Sequence, residues 1–256
     1  MSTEETASKQ AWQVRCATAE DLVSLRALDG REMPASPAGS NVWVALAAGR
    51  QAGRPLASLH LSLRIGRPQP QAWFRLGWAV HASAELGLYL RQRTLMLGND
   101  LCGADELGGF ALSPELAPSQ AFGAWSALLA AALSAHQEAQ AQALQDDEAP
   151  RPCIATLPGW RDAAGASPVW LGLGRHFVPP ATGAAAHEPA ALAPLMPRQL
   201  LYAALLPEPA QAALGRCAPQ AEPLREALLA AGFGWRERVG VIDGAPVLER
   251  WPGAPG

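Results

Sequence analysis

The sequence has little of what stabilises secreted or metal-binding proteins. Its four cysteines are Cys16, Cys102, Cys153 and Cys217. They lie far apart without a CxxC pair, which argues against a disulfide framework or a structural zinc site. The polar start MSTEETASKQ contains no apolar signal core, and no run of about 18 apolar residues occurs in the sequence. We therefore expect a cytoplasmic protein that neither binds a metal nor enters a membrane.

Charge is also scarce in this chain. Charged residues make up 17% of it, the formal net charge is −3, and Lys9 is the only lysine among 20 basic residues. A nucleic-acid-binding domain needs a basic surface, which this balance does not supply. With 256 residues, the chain is long enough to form one large or two small domains with a buried core.

Apolar residues alternate in the first part of the chain, as they do in strands. The pattern predicts a strand over 12–16 and then a helix capped by Thr18, with an acid three residues later. It next predicts a hairpin of two half-buried antiparallel strands over 42–46 and 56–65. One side of the second strand carries Leu59, Leu61, Leu63 and Ile65, and the other carries His60, Ser62 and Arg64.

A strand, a loop and a long helix follow in the middle of the chain. Residues 108–112 form a short apolar strand, and residues 113–118 form a loop with two prolines. Ser119 is a candidate cap for a helix over 120–143. A helix that starts after a strand offers free N–H groups to an anion. The other predicted elements are strands at 73–80, 94–97, 153–157, 235–241 and 246–250, helices at 168–173, 188–195, 208–214 and 222–231, and loops at 29–40, 49–53 and 179–187.

Three blocks of sequence share their order and spacing with a known family. They are VHASAELGLYLRQRTLMLGNDLCGADEL (80–107), SPVWLGLGRHF (167–177), and a block at 195–249 that contains LMPRQLLY, PEPAQAALG and VIDGAPVLE. Together they resemble the corresponding blocks of the arginine N-succinyltransferases. The agreement covers most of residues 12–250.

The resemblance implies the fold of the acyl-CoA N-acyltransferases. This is an α+β fold with a mixed, largely antiparallel sheet and flanking helices. It divides the chain into a disordered tail over 1–11, an N-acyltransferase-like domain over 12–145, and a second α+β portion over 153–250 packed on the first. The family's C-terminal extension has no counterpart in the 256 residues of this sequence.

The resemblance also implies an activity. Members of the family transfer a succinyl group from succinyl-CoA, a co-substrate that is not covalently bound, to the α-amine of arginine in arginine catabolism. The family includes paired paralogous subunits, so we expect a homo-oligomer or a hetero-oligomer with such a subunit. Nucleic acid and membrane are not expected partners.

The family's acid/base histidine has no match in this chain. After PEPAQAALG the sequence continues with Arg216, Cys217 and Ala218, and Ala218 stands in the histidine's place. An alanine cannot transfer a proton, whereas general acid–base groups contribute about 10²–10⁴-fold to a rate. Two fallback candidates remain: His81, because histidine titrates near neutral pH, and Cys217, whose thiol would need a lowered pKa.

The predicted cofactor loop also departs from the family pattern. The resemblance places the CoA-binding residues at Phe110, Leu112, Ser119, Gln120 and Gly123. The family's loop carries an arginine and close-set glycines, whereas this one reads SPELAPSQAFG. Its prolines lack an N–H group, and Glu115 adds negative charge where a phosphate would bind. The loop is therefore either a weak CoA site or a strand–helix turn that binds nothing.

Six polar residues still match family positions. They are His81, Ser83, Glu85, Asn99, Asp100 and Glu106. Each also has an ordinary structural explanation, as a hydrogen-bonded histidine, a turn residue, or a carboxylate that caps or pairs. The sequence thus supports two functions. One is a catalytically impaired arginine N-succinyltransferase-like enzyme, and the other is a non-catalytic partner or binding subunit of a succinyltransferase complex.

Overall fold

The computed structural model describes residues 11–21, 24–25, 40–47, 54–67, 69–178, 191 and 194–252. Several predicted segments lie wholly or mostly outside these ranges: the tail at 1–11, the loops at 29–40, 49–53 and 179–187, and the helix at 188–195. The strands and helices given below all lie within the described ranges.

Ten strands form one sheet. They are β1 (Trp12–Cys16), β2 (Ser40–Ala47), β3 (Ala57–Ser62), β4 (Trp73–Ser83), β5 (Leu88–Gly98), β6 (Asp105–Leu112), β7 (Cys153–Thr156), β8 (Leu201–Tyr202), β9 (Gly234–Gly240) and β10 (Pro246–Arg250). Their order across the sheet is β1-β2-β3-β6-β7-β10-β9-β4-β5-β8. Neighbouring strands are antiparallel, except that β6 and β7 are parallel. The predicted α+β fold with a mixed, largely antiparallel sheet is confirmed.

Four α-helices have bounds within the described residues. They are α1 (Pro118–Gln145), α2 (Pro168–Gly172), α3 (Glu208–Ala213) and α4 (Glu222–Ala230). The prediction that Ser119 caps α1 is wrong, because Ala117 is the N-cap and no side chain bonds there. Proline fits the first position of a helix, since its fixed φ is helical and its missing N–H would have had no partner.

The sheet spans both predicted portions of the chain. Strands β1–β6 and α1 fall within 12–145, and strands β7–β10 fall within 153–250. The two portions meet where β7 pairs with β6 and where β9 pairs with β4. Helix α1 ends at Gln145, the last residue of the first predicted portion. The division into two portions stays a prediction.

Most helices cover one face of the sheet. On α1 the buried side chains Ala121, Trp125, Leu128 and Ala132 recur every three or four residues. They pack on the apolar side of β3 and β6 and against α4. On the same side of the sheet, α2 and α3 cover a second cluster formed with β4, β5 and β9.

The opposite face carries a smaller apolar cluster. It consists of Ile65, Trp73, Leu101, Ala104, Ile154 and Val247. Ile65 was expected on the side of Leu59, and this expectation is wrong. The alternation ends because β3 stops at Ser62 and Arg64 has a φ of 56°.

The position of the β4–β5 hairpin in the sheet does not follow chain order. Strands β4 and β5 follow β3 in sequence, yet β6 takes the position beside β3 and the hairpin joins the sheet next to β9. The patterns at 73–80 and 94–97 predicted only part of it, since each strand has 11 residues. The outer half was missed because Leu88, Tyr89 and Leu90 are consecutive and apolar, without the alternation of a half-buried strand.

A buried carboxylate joins the start of β6 to β3, β7 and α1. The side chain of Asp105 is 0% exposed. It accepts hydrogen bonds from Arg64 N–H (2.9 Å), Arg151 Nε (3.3 Å) and Gln140 Nε2 (3.3 Å), and it lies 3.2 Å from His136 Nε2. Burial alone would raise the pKa of Asp105, but the contact with His136, the Arg64 hydrogen bond and the charge of Arg151 hold that pKa below its ordinary value.

We expect Asp105→Asn to lower the free energy of unfolding by about 3 kcal/mol at neutral pH, because Arg151 loses a buried partner. The difference should shrink as the pH falls below about 4, since a carboxylate with a lowered folded pKa stabilises only while it is ionised. Urea unfolding at several pH values measures both effects. Asp146→Asn, at the exposed end of α1, is the control. Equal losses in the two variants would contradict the role of Asp105.

Candidate functional site

The parallel strands β6 and β7 diverge after a short pairing. Their three pairs are Asp105–Cys153, Glu106–Ile154 and Leu107–Ala155. Beyond Leu107, β6 continues along β3 and β7 along β10, and no further pair joins them in the described part of the chain. Open α/β sheets bind ligands outside the carboxyl ends of such strands. Loop 113–117 and the start of α1 lie on the β6 side of this opening.

Strand β6 bulges where it borders the opening. Its pairing with β3 shifts between Ser58 and His60, and Gly109 has a φ of 57°, which glycine adopts without strain. A Cβ atom on Gly109 would lie 2.3 Å from His60 Nδ1. The imidazole therefore lies directly against the bulge, where a larger residue would not fit. Gly108 and Gly109 stand together inside an apolar strand pattern, and such glycines are a sequence signal for a bulge.

Glu106 is the carboxylate next to the opening. Because Leu107 packs in the cluster beneath α1, Glu106 points to the opposite face, between Ser62 of β3 and Ile154 of β7. Thr156 Oγ1 donates a hydrogen bond of 3.3 Å to its Oε1. Burial raises the pKa of Glu106 to about 7, although the Thr156 hydrogen bond acts the other way. This carboxyl group is therefore suited to exchange a proton near neutral pH.

Ala218 lies beside the end of β7. Its N–H donates to the carbonyl of Pro158 at 2.8 Å, and the preceding Cys217 forms a bridge to Gly159. The position of the family's acid/base histidine thus lies on the β7 side of the opening. The Ala218 side chain is 4% exposed, and its methyl group supplies neither a proton donor nor an acceptor.

Cys217 is protonated at neutral pH. Its Sγ donates a hydrogen bond of 3.2 Å to Glu222 Oε2. Burial and this hydrogen bond raise the pKa of the Cys217 thiol to about 11. A catalytic cysteine needs the thiolate, so this fallback candidate lacks the ionisation that its chemistry requires.

His81 lies away from the opening. It is exposed in the outer half of β4, with its ring 5.6 Å from that of Tyr202. Strands β10 and β9 separate β4 from β7 in the sheet. The other fallback candidate is therefore remote from Ala218 and Glu106.

The six matched polar residues, all of which the structure describes, do not form one site. The Oγ of Ser83 accepts a backbone N–H at 3.3 Å in the hairpin turn. Asp100 forms an ion pair with Arg238, which also bonds Glu249 at 2.6 Å. Turn formation and ion pairing account for these residues. Of the six, Glu106 is the one that borders the opening.

The predicted CoA-binding residues have structural partners. The Phe110 ring packs edge-to-face on Trp125, with centroids 5.8 Å apart. A Cβ atom on Gly123 would lie 3.1 Å from the indole nitrogen of Trp12, so Gly123 makes room for that ring. The Gln120 N–H donates to the carbonyl of the N-cap residue at 2.9 Å. These contacts explain the three residues without a ligand.

Loop 113–117 does not fit a pyrophosphate. Leu112 pairs with β3, and Ser119 is exposed. The Glu115 N–H donates to Ser113 Oγ at 3.2 Å, and neither Pro114 in the loop nor Pro118 at the start of α1 has an N–H to offer. No Lys, Arg or His occurs from 113 to 123. The start of α1 therefore supplies neither the cations nor the set of free N–H groups that hold phosphate.

The described ranges also bear on metal binding and on membrane insertion. No group of three or more His, Cys, Asp and Glu is placed there to hold a metal ion. None of the helices in those ranges is long and apolar enough to cross a membrane. The groups that the opening presents to a ligand are thus the Glu106 carboxyl group and the backbone of the Gly109 bulge.

A solved structure shares this fold. It is the structure of arginine/ornithine succinyltransferase subunit AI from Pseudomonas aeruginosa, with a TM-score of 0.68 and 22% sequence identity. The match covers 94% of this chain and 77% of that one. The likeness defines the class of fold, that of a succinyltransferase subunit.

Sequence comparison then identifies the family. A model of the arginine N-succinyltransferase beta subunit matches residues 23–251, and the chain belongs to that family. Arginine N-succinyltransferases from Salmonella paratyphi B and Salmonella newport are each 30% identical over 218 residues, which is 83% of this chain. The chain spans 61% of the length of these relatives. The family predicted from the three sequence blocks is confirmed.

We expect Glu106→Gln to raise the free energy of unfolding at about pH 8 by roughly 1–3 kcal/mol relative to the unsubstituted chain, and to have little effect at about pH 4. The folded pKa of Glu106, about 7, lies above the ordinary glutamate value. The native state therefore loses stability as the pH rises through this interval, and glutamine removes that loss. Urea unfolding across this range is the measurement. Glu138→Gln, on the exposed side of α1, is the control.

Proposed function

We propose that this chain is an arginine N-succinyltransferase-like protein in which succinyl transfer from succinyl-CoA to the α-amine of arginine is strongly reduced. The observation that carries the proposal is Ala218, which stands in the place of the family's acid/base histidine. Family membership supports the reaction class. The residues around the opening support the reduction.

Acyl transfer to an amine needs a base for the amine and benefits from an acid for the departing thiolate. Glu106 suits the first task, because its pKa of about 7 lets it take a proton from an ammonium group near neutral pH. A carboxylate also attracts the cationic groups of arginine. We therefore assign Glu106 to the side of the acceptor amine. With alanine at 218 and a protonated thiol at Cys217, the thiolate leaves without an obvious proton donor.

Weak donor binding is the second part of the proposal. Charge-assisted hydrogen bonds contribute about 1.5–3 kcal/mol each, and the stretch from 113 to 123 has no cation to form them. The carboxylate of Glu115 repels a phosphate at the same place. Both effects lower the affinity for succinyl-CoA before any chemical step.

The substrates and the setting belong to the same proposal, because the chain spans 61% of the relatives that carry the name arginine N-succinyltransferase. That name supports arginine as the acceptor and a succinyl group as the group transferred, and we propose succinyl-CoA as the donor. A role in arginine catabolism and a place in the cytoplasm follow from these substrates.

A non-catalytic partner or binding subunit is the second candidate. One observation favours it: the matched family is that of a beta subunit, and the Pseudomonas aeruginosa neighbour is also a subunit. A subunit of that kind needs neither a proton donor nor a phosphate loop. Titration calorimetry at high succinyl-CoA concentration separates the two candidates, since weak but saturable binding supports the impaired enzyme and no binding at all supports the partner subunit.

We expect Ala218→His alone not to restore succinyl transfer, because a proton donor is useless without bound thioester. The unsubstituted chain should turn over at least about 10²-fold below the typical enzyme rate of about 10 s⁻¹. A thiol reagent that reports CoA release in the presence of arginine and succinyl-CoA measures both. Combining Ala218→His with a basic, glycine-bearing replacement of 113–123 should give the first measurable transfer.

Ala218→Phe is the steric control for this experiment. Ala218 is 4% exposed, so either ring must displace neighbouring atoms at a cost of about 1–3 kcal/mol. Thermal unfolding of both variants shows whether they tolerate the ring equally. Transfer restored by Ala218→His and not by Ala218→Phe would contradict the proposed defect in the loop and would show an intact donor site.

A further inference from the structure

The outer part of the β4–β5 hairpin, residues 76–93, extends beyond the neighbouring strands. We name this part the arm. Strand β9 pairs with β4 only at 73–75, and β8 pairs with β5 only at 94–95. In the described part of the chain, the arm is therefore a two-stranded ribbon with no third strand. Such a ribbon is marginally stable in water unless one of its faces is covered.

One face of the arm continues the apolar core outward. Nearer the sheet centre, this face buries Phe74, Leu76 and Leu95 beneath α2 and α3. Further out, α2 and α3 no longer cover this face, although it still carries apolar residues. The register places Trp78, Val80, Ala82, Tyr89, Arg91 and Arg93 on this face, which we name the arm face. Arg93 forms an ion pair with Glu237 of β9.

The arm face exposes large apolar side chains. Trp78 is 54% exposed, Val80 53% and Tyr89 73%, and Leu86 in the adjoining turn is 78% exposed. If an aromatic residue can bury about 150–250 Å², these four offer on the order of 400–500 Å² of apolar surface. Patches of this size on a monomer commonly mark interaction sites. A standard interface buries about 800 Å² per partner, so this patch is large enough for its apolar centre.

The β4 edge of the arm carries none of the features that prevent association. From Leu76 to Ser83 it reads LGWAVHAS, without charge or proline. Natural edge strands are usually protected by lysine, proline or a bulge. This edge is instead long, neutral and largely apolar, as expected for a strand that another chain covers.

The charges on the arm complement each other across a two-fold axis. Glu85 lies in the turn at one end, and the Arg91 guanidinium lies further in, 4.2 Å from the centroid of the Trp78 ring. Suppose that two arms pack antiparallel, with the two-fold axis at Ala82. The turn of each arm then contacts the part of the other arm that is nearer its own sheet. Leu86 then packs on Trp78 of the second copy and Glu85 lies near its Arg91, and symmetry forms both contacts twice.

We propose that the arm face binds the same face of a second copy of this chain, in an antiparallel, two-fold symmetric dimer. The two Ala82 residues lie at its centre, and Trp78, Val80, Leu86 and Tyr89 form its apolar core. This dimer does not depend on the proposed function, because it uses no residue of the opening between β6 and β7.

Sedimentation equilibrium and light scattering of the full chain over a range of concentrations test this dimer. We expect the unsubstituted chain to be dimeric, and Val80→Glu and Tyr89→Glu each to weaken self-association at least tenfold. Leu144→Glu is the matched control, because Leu144 is 57% exposed on α1, away from the arm. Thermal unfolding shows whether each variant is folded, and the second arm variant keeps the test valid if the first does not fold.

Charge exchange tests the antiparallel arrangement. Glu85→Arg and Arg91→Glu should each weaken the dimer by about fivefold, and the double variant should restore it, since each pair reforms with reversed charges. A chain that is monomeric at about 100 µM overturns the proposal. A dimer unaffected by the arm variants, or association that requires a paralogous subunit, also overturns it.

Discussion

The buried carboxylate of Asp105 fixes the one place in the described sheet where two strands run parallel. Its hydrogen bonds reach Arg64 after β3, Arg151 before β7, and Gln140 on α1. These contacts hold the first residues of β6 and β7 together, while the far ends follow different neighbours. A sheet that is tied at one end and free at the other opens between the two strands. The opening is thus a consequence of a buried charge network as much as of chain topology.

Two consecutive carboxyl groups of β6 differ in pKa because their surroundings differ. Asp105 and Glu106 are consecutive, and strand alternation places them on opposite faces of the sheet. His136, the Arg64 N–H and the charge of Arg151 surround Asp105, so its pKa is lowered despite complete burial. Thr156 donates a hydrogen bond to Glu106, but burial has the larger effect and raises the pKa of Glu106 to about 7. One carboxylate therefore stabilises the fold, and the next is free to exchange protons.

Local sequence patterns predicted many of the strands and helices. They did not predict which strands distant in sequence would pair. The alternation around Val44 and Leu59 predicted the β2–β3 hairpin, but the expectation of a half-buried strand is wrong for β2, because residues 43–46 are buried on both faces. Pairing of β4 with β9 is invisible to local pattern, since it joins residues far apart in sequence. The sequence blocks predicted the family. They did not distinguish Glu106 from the other matched polar residues, because its raised pKa depends on burial between strands brought together only by the fold.

The surroundings of Ala218 bear on the proposed loss of activity. Its N–H donates to the carbonyl of Pro158 and its carbonyl accepts from the Ala221 N–H, and neither backbone bond depends on the side chain. The side chain contributes a buried methyl group. If this position held a histidine in an ancestor, as the sequence resemblance implies, its replacement by alanine removed a proton-transfer group and left these backbone bonds in place. Selection for stability or for assembly would retain the backbone contact, and only selection for turnover would retain the histidine.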